Sequence, residues 1–192
     1  YDYSGLTREE SNAGAQTIII FILSLVFVYF LLSAQYESYI LPFSILLSLP
    51  FGIAGAILFI NLAGLQNNIY FQIALIMLIG LLAKNAILIV EFALQRRKAG
   101  LSLFDAAADG ARARLRPILM TSFAFIFGLL PLALSSGIGA IGNQSIGVSA
   151  VGGMLVGTIL GVFIIPVLFV VFQALQEKIS GKPEELQNVN NA

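Results

Sequence analysis

IYFQIALIMLIGLLAKNAILIVEFAL, residues 69–94, carries only two charges, Lys84 and Glu91. A stretch of about 20 apolar residues is enough for a helix to cross a bilayer's hydrocarbon core, so this run reads as a transmembrane helix. Four more runs of that kind flank it, at 17–34, 39–62, 117–134 and 146–175, and the first of them holds no charge at all. The expected fold is therefore an all-α integral membrane protein, a bundle of five transmembrane helices. Pro42 near the start of the second run does no harm there, whereas Pro50 inside it predicts a kink. The fifth run is long enough to tilt or to pass the membrane surface, and Pro166 offers it a bend.

Composition supports lipid as the solvent. Of 192 residues, 58% are hydrophobic and 10% are charged, where soluble domains carry about 25% charge. The absence of His and Cys removes disulfides, Ser-His and Cys-His dyads, and zinc ligation of the usual kind. No metal or cofactor is called for. A formal net charge of zero argues against nucleic acid as a partner. The chain opens YDYSGLTREE, with no initiating Met and no basic n-region, so it is expected to lack a signal peptide and to be a piece of something longer.

Residues 95–116 hold six of the ten Lys and Arg: Arg96, Arg97, Lys98, Arg112, Arg114 and Arg116. By the positive-inside rule this segment is cytoplasmic. Alternation then places the 1–16 lead-in outside and the 176–192 tail inside, in agreement with Lys178 and Lys182. Within the basic segment, Ser102-Leu-Phe-Asp105 has the form of a capping box, and AAADGARARL after it is expected to be a short amphipathic helix interrupted by Gly110. Small residues recur every four positions at Ser44, Ser48, Gly52 and Ala56, and again at Gly153, Gly157 and Gly161. Such stripes let helices approach closely in lipid, as a fixed seam or as a sliding surface.

Lys84 lies near the middle of its run, where an uncompensated cation costs at least about 2.5 kcal/mol. Glu91, one heptad on, shares its face but is about 10.5 Å away along the axis; it is expected to reach toward Arg96 or Arg97. No other Asp or Glu falls inside an apolar run. Either Lys84 is neutral, or its counter-ion comes from outside this chain, or it merely anchors packing. Arg114 and Thr121, one heptad apart, share a face of the next helix. The Thr121 hydroxyl either relays a proton or returns a bond to its own helix, and Arg114 is open to reading as one more interfacial cation. No Asp lies in an apolar run and His is absent, so the chain supplies no intramembrane protease pair.

GLLAKNAILIVEFA at 80–93 and RARLRPILMTSFAFIFGLLPL at 112–132 closely resemble the resistance-nodulation-division superfamily of proton-driven exporters, in its hydrophobe and amphiphile efflux branch. The resemblance extends to YDYSGLTREE, to YESYILPFSILLSLPFGIAGA at 36–56 and to VGGMLVGTILGVFIIPVLFVV at 151–171. It implies the last five helices of a twelve-helix drug/proton antiporter of the bacterial inner membrane, not an enzyme. Lys84, Arg114 and Thr121 then match the Lys, Arg and Thr of the family's proton relay, with Asn85 and Glu91 as possible supports. The two Asp of that relay have no counterpart here. The resemblance also implies the rest of the same pump, a homotrimer, a periplasmic adaptor and an outer-membrane channel as partners. Export of lipid or protein, or a passive membrane scaffold, are the alternatives; metal export is disfavoured by the residues around Lys84.

Overall fold

A computed structural model describes residues 6–137 and 139–180, with side chains at Ile19 and from Ile22 to Ile179 apart from Ile138. The described residues form helices joined by short turns, with no strand among them, in the order α1 (Leu6–Tyr36), α2 (Leu41–Leu46), α3 (Leu49–Leu62), α4 (Ile69–Lys98), α5 (Leu103–Ala133) and α6 (Ala140–Ser180). Counting α2 and α3 as two pieces of one rod, this is an all-α membrane bundle of five rods. Four are long and apolar enough to cross a membrane, and α1 contributes a shorter apolar stretch at Ile22–Tyr36. The first five residues of the lead-in and the tail from Gly181, with Lys182, lie outside the described residues.

The break between α2 and α3 has a local cause. Pro50 has no N–H to give the Leu46 carbonyl, and its ring crowds that carbonyl, so α2 stops at Leu46. Ser44 and Ser48 donate their hydroxyls back to the Leu41 and Ile45 carbonyls, both at 2.6 Å, which satisfies two backbone acceptors beside the break. The expected kink is therefore a short interruption at Leu47 and Ser48. At α4 the start is set by Asn68, whose Oδ1 accepts from the Phe71 N–H at 2.9 Å. Its Nδ2 donates to Ser145 Oγ at 3.0 Å, tying that end of α4 to α6.

The basic segment departs from expectation. Its short helix does not end before the fourth apolar run: α5 is continuous from Leu103 through Pro117 and Pro131 to Ala133. A proline in a membrane helix is tolerated because neighbouring helices and side chains re-satisfy the freed backbone group. The Ser102 cap holds as expected, with Oγ accepting from the Asp105 N–H at 3.2 Å and donating to Asp105 Oδ2 at 2.6 Å. Gly110 does not interrupt the helix. A Cβ there would lie 2.9 Å from Ala93 Cβ and the Ala93 nitrogen, so its missing side chain is what lets α5 cross α4 backbone to backbone.

Helix α6 lies at the centre, packed on α3, α4 and α5, while α1 packs mainly on α2. The two small-residue stripes meet each other across the α3–α6 crossing. A Cβ on Gly157 would come within 3.1 Å of Gly52 Cα, and one on Gly153 within 3.0 Å of the Gly52 oxygen. Apolar burial gives no driving force between helices in lipid, so this close approach supplies dispersion contact instead. Buried residues form two clusters: Leu41, Ile45, Ile89, Val90, Ile118 and Phe169 in one, and Leu49, Ile60, Phe71, Leu78 and Met154 in the other. Large apolar side chains such as Ile22, Phe27, Phe30, Phe123 and Phe163 point outward, as lipid-facing positions do.

Candidate functional site

Lys84 stands on the outer surface of α4, midway along the helix, exposed. Among the described residues no carboxylate lies within 4.0 Å of its ammonium. Asn85, the next residue, turns inward and is 7% exposed inside the bundle. A helix advances about 100° per residue, so the two adjacent polar side chains serve different surroundings. Lys84 faces out of this chain, and Asn85 faces its core.

Thr121 is likewise exposed on α5, and its Oγ1 donates to the Ile118 carbonyl at 3.0 Å. Of the two chemistries open to this hydroxyl, back-bonding is the one present here; its lone pairs remain available to an outside donor. Ser122 mirrors Asn85: it points inward, is 2% exposed, and shares a hydrogen bond of 3.0 Å with Thr158 of α6.

Arg114 is half-buried, and its guanidinium carbon sits 4.8 Å from the centroid of the Phe92 ring. Arg96 lies over the same ring at 5.0 Å, so one aromatic face system on α4 serves cations from two helices. The buried Nε of Arg114 has no hydrogen-bond partner among the described residues. A cation held by a π-face and carrying an unmet N–H can donate to a carboxylate or carbonyl oxygen.

Glu91 corrects an expectation. It accepts from Gln95 Nε2 at 3.2 Å, one turn ahead, and does not reach Arg96 or Arg97. Residues five and six ahead lie about 140° and 240° round the helix, on other faces. Arg96 instead pairs with Asp109 of α5 at 2.8 Å. Arg97 makes a two-pronged pair with Glu177 of α6, Nε to Oε1 and Nη2 to Oε2, each 2.8 Å. Both side chains of the second pair are nearly buried, at 11% and 10% exposed.

Lys84 and Thr121 are thus exposed on α4 and α5, Arg114 lies against Phe92, and Asn85 faces inward, with no contact joining Lys84, Arg114 and Thr121 among the described residues. Sequence reasoning passed over Phe92, Thr158 and Glu177. Phe92 was accessible in principle, because Arg96 follows it by four residues and so overlies it on the helix. The partners Thr158 and Glu177 come from α6, and no local pattern announces them.

A bundle of helices long and apolar enough to cross a membrane, with an exposed cation in the middle of one span, belongs to the class of polytopic membrane proteins. Residues 1–173 match the model of the AcrB/AcrD/AcrF family, and the chain belongs to that family. It is 46% identical over 175 residues to the toluene efflux pump membrane transporter TtgB of Pseudomonas putida, an alignment that takes in 91% of this chain and 17% of that protein. It is 46% identical over 176 residues to the multidrug resistance protein MdtF of Escherichia coli, with the same coverage of each. A second Pseudomonas putida toluene pump transporter, TtgE, is 45% identical over 185 residues, covering 96% of this chain and 18% of that one. The chain spans about a sixth of the length of these curated relatives.

Proposed function

We propose that this chain forms part of the membrane domain of a proton-driven multidrug efflux transporter, and that Lys84, Arg114 and Thr121 are its share of the proton relay. The observation that carries the reading is Lys84: a cation at the middle of a span, exposed on the bundle, with no carboxylate in reach among the described residues. In hydrocarbon such a group demands compensation. Its face is therefore a contact surface for carboxylates carried elsewhere in the transporter. Protonating such a carboxylate releases Lys84, and the freed ammonium turns to another acceptor; that exchange converts proton uptake into helix movement. A proton moving through 100 mV brings about 2.3 kcal/mol to the step. Family membership, with relatives named as efflux transporters, supports the export role.

The same reading puts the protein in the bacterial inner membrane with 95–116 and the tail inside and the 1–16 lead-in outside. It makes the working unit a homotrimer coupled to a periplasmic adaptor and an outer-membrane channel, and the coupling that of an antiporter.

Efflux of a fluorescent dye from energised cells tests the relay. Lys84→Ala is expected to bring efflux to background while the protein still reaches the membrane. Thr121→Ser retains most activity, and Thr121→Val loses it. Full activity in Thr121→Val means that the hydroxyl does nothing beyond its bond to Ile118, and full activity in Lys84→Ala removes the relay altogether.

A further inference from the structure

Asn85, the residue that follows Lys84, lines a small space where α4, α5 and α6 meet, and Ser122, the residue that follows Thr121, reaches it through its hydrogen bond to Thr158. Asn85 of α4, Ser48 at the α2–α3 break and Thr158 of α6 line a space of about 10 Å³, with Leu82, Ile118 and Gly157 among the apolar residues around it. A volume near this is the least that admits one water molecule. Asn85 Nδ2 is buried with no hydrogen-bond partner among the described residues, and an amide donor left unmet in a core is costly.

The lining suits a neutral ligand that both donates and accepts. Ser48 gives its proton to the Ile45 carbonyl at 2.6 Å and so keeps only lone pairs to offer. Ser122 and Thr158 share one hydrogen bond of 3.0 Å, which leaves one hydroxyl proton and spare lone pairs between them. One water accepting from Asn85 and donating to Ser48 or Thr158 reaches the two to four partners that buried waters make. A metal cation does not fit, because every polar group around the space is neutral and the described residues include no cluster of acidic ligands.

We propose that this cavity binds a single structural water through Asn85, Ser48 and Thr158, and that the water ties α4 to α6, and through Ser122 to α5, directly behind the faces that carry Lys84 and Thr121. The site stands independently of any proton relay. Close approach of the helices shapes it: a Cβ on Gly157 would lie 2.8 Å from both Leu82 methyls, so the room is left by a glycine and bounded by a leucine.

The test uses the protein purified from its host membrane. A density map fine enough to show ordered waters is expected to have a peak in this cavity within hydrogen-bond distance of Asn85 Nδ2. An empty cavity, a side chain filling it, or Nδ2 turned onto a protein carbonyl overturns the proposal. The second measurement is the unfolding midpoint of Asn85→Leu, Thr158→Val and the double variant. Groups that share one water are coupled, so the double variant is expected to shift by clearly less than the sum of the single shifts. Additive shifts mean that the two side chains hold no common ligand. Where a variant fails to accumulate, the map of the unaltered protein decides alone.

Discussion

Removing Glu177 is expected to cost this bundle far more than the loss of a surface ion pair. Its carboxylate takes two parallel hydrogen bonds of 2.8 Å from Arg97, and Gln173 Nε2 adds a third at 3.2 Å. Arg97 also donates Nη1 to the Leu101 carbonyl at 2.8 Å, so the guanidinium closes the end of α4 as well as bridging to α6. With the two side chains 11% and 10% exposed, water cannot replace the partner once it is gone. Leaving one member of a buried pair uncompensated typically costs about 3–5 kcal/mol. Exposed pairs are worth about 0–1 kcal/mol. Glu177→Ala is therefore expected to fall in the higher range. Replacing both residues with apolar side chains, Arg97→Met with Glu177→Leu, is expected to restore most of the loss, because no charge is then stranded. The assay is equilibrium unfolding in mixed micelles followed by the helical circular dichroism signal, which suits a chain with no Trp to report by fluorescence. A Glu177→Ala variant within about 1 kcal/mol of the parent, or a double variant as unstable as the single one, refutes the reasoning: the pair is then solvated and does not join α4 to α6.

Three other outcomes are expected. Gly110→Val forces a branched side chain into the α4–α5 crossing, where even a Cβ meets Ala93 at 2.9 Å, and overpacking of this kind costs about 1–3 kcal/mol in the same unfolding assay. Ser102→Ala removes the α5 cap, which is worth about 0.5–2 kcal/mol, and is read as faster proteolysis between α4 and α5. Single cysteines at Asn67 and Gly139 are expected to react with an impermeant thiol reagent in intact cells while one at Lys98 does not; the reverse pattern inverts the proposed orientation.

Much of this molecule is decided by one-dimensional chemistry. Apolar runs of membrane length locate the rods, Pro50 ends α2 because it has no N–H for Leu46, and Ser102 starts α5 because its hydroxyl meets a free amide. Lys84 is conspicuous in the sequence because a charge in that context is expensive wherever it points. Other features required the fold. These spans are apolar nearly all round, so no polar face announces which side of a helix turns inward. The choice that buries Asn85 and exposes Lys84 is made by where Gly52, Gly153 and Gly157 let α3 and α6 close on each other and where Gly110 lets α5 reach α4. The ion pairs follow from that arrangement. Glu91 and the two arginines beyond it are near in sequence but lie on different helix faces, whereas Asp109 and Glu177, distant in sequence, are brought beside Arg96 and Arg97 by the crossings of α5 and α6 over α4.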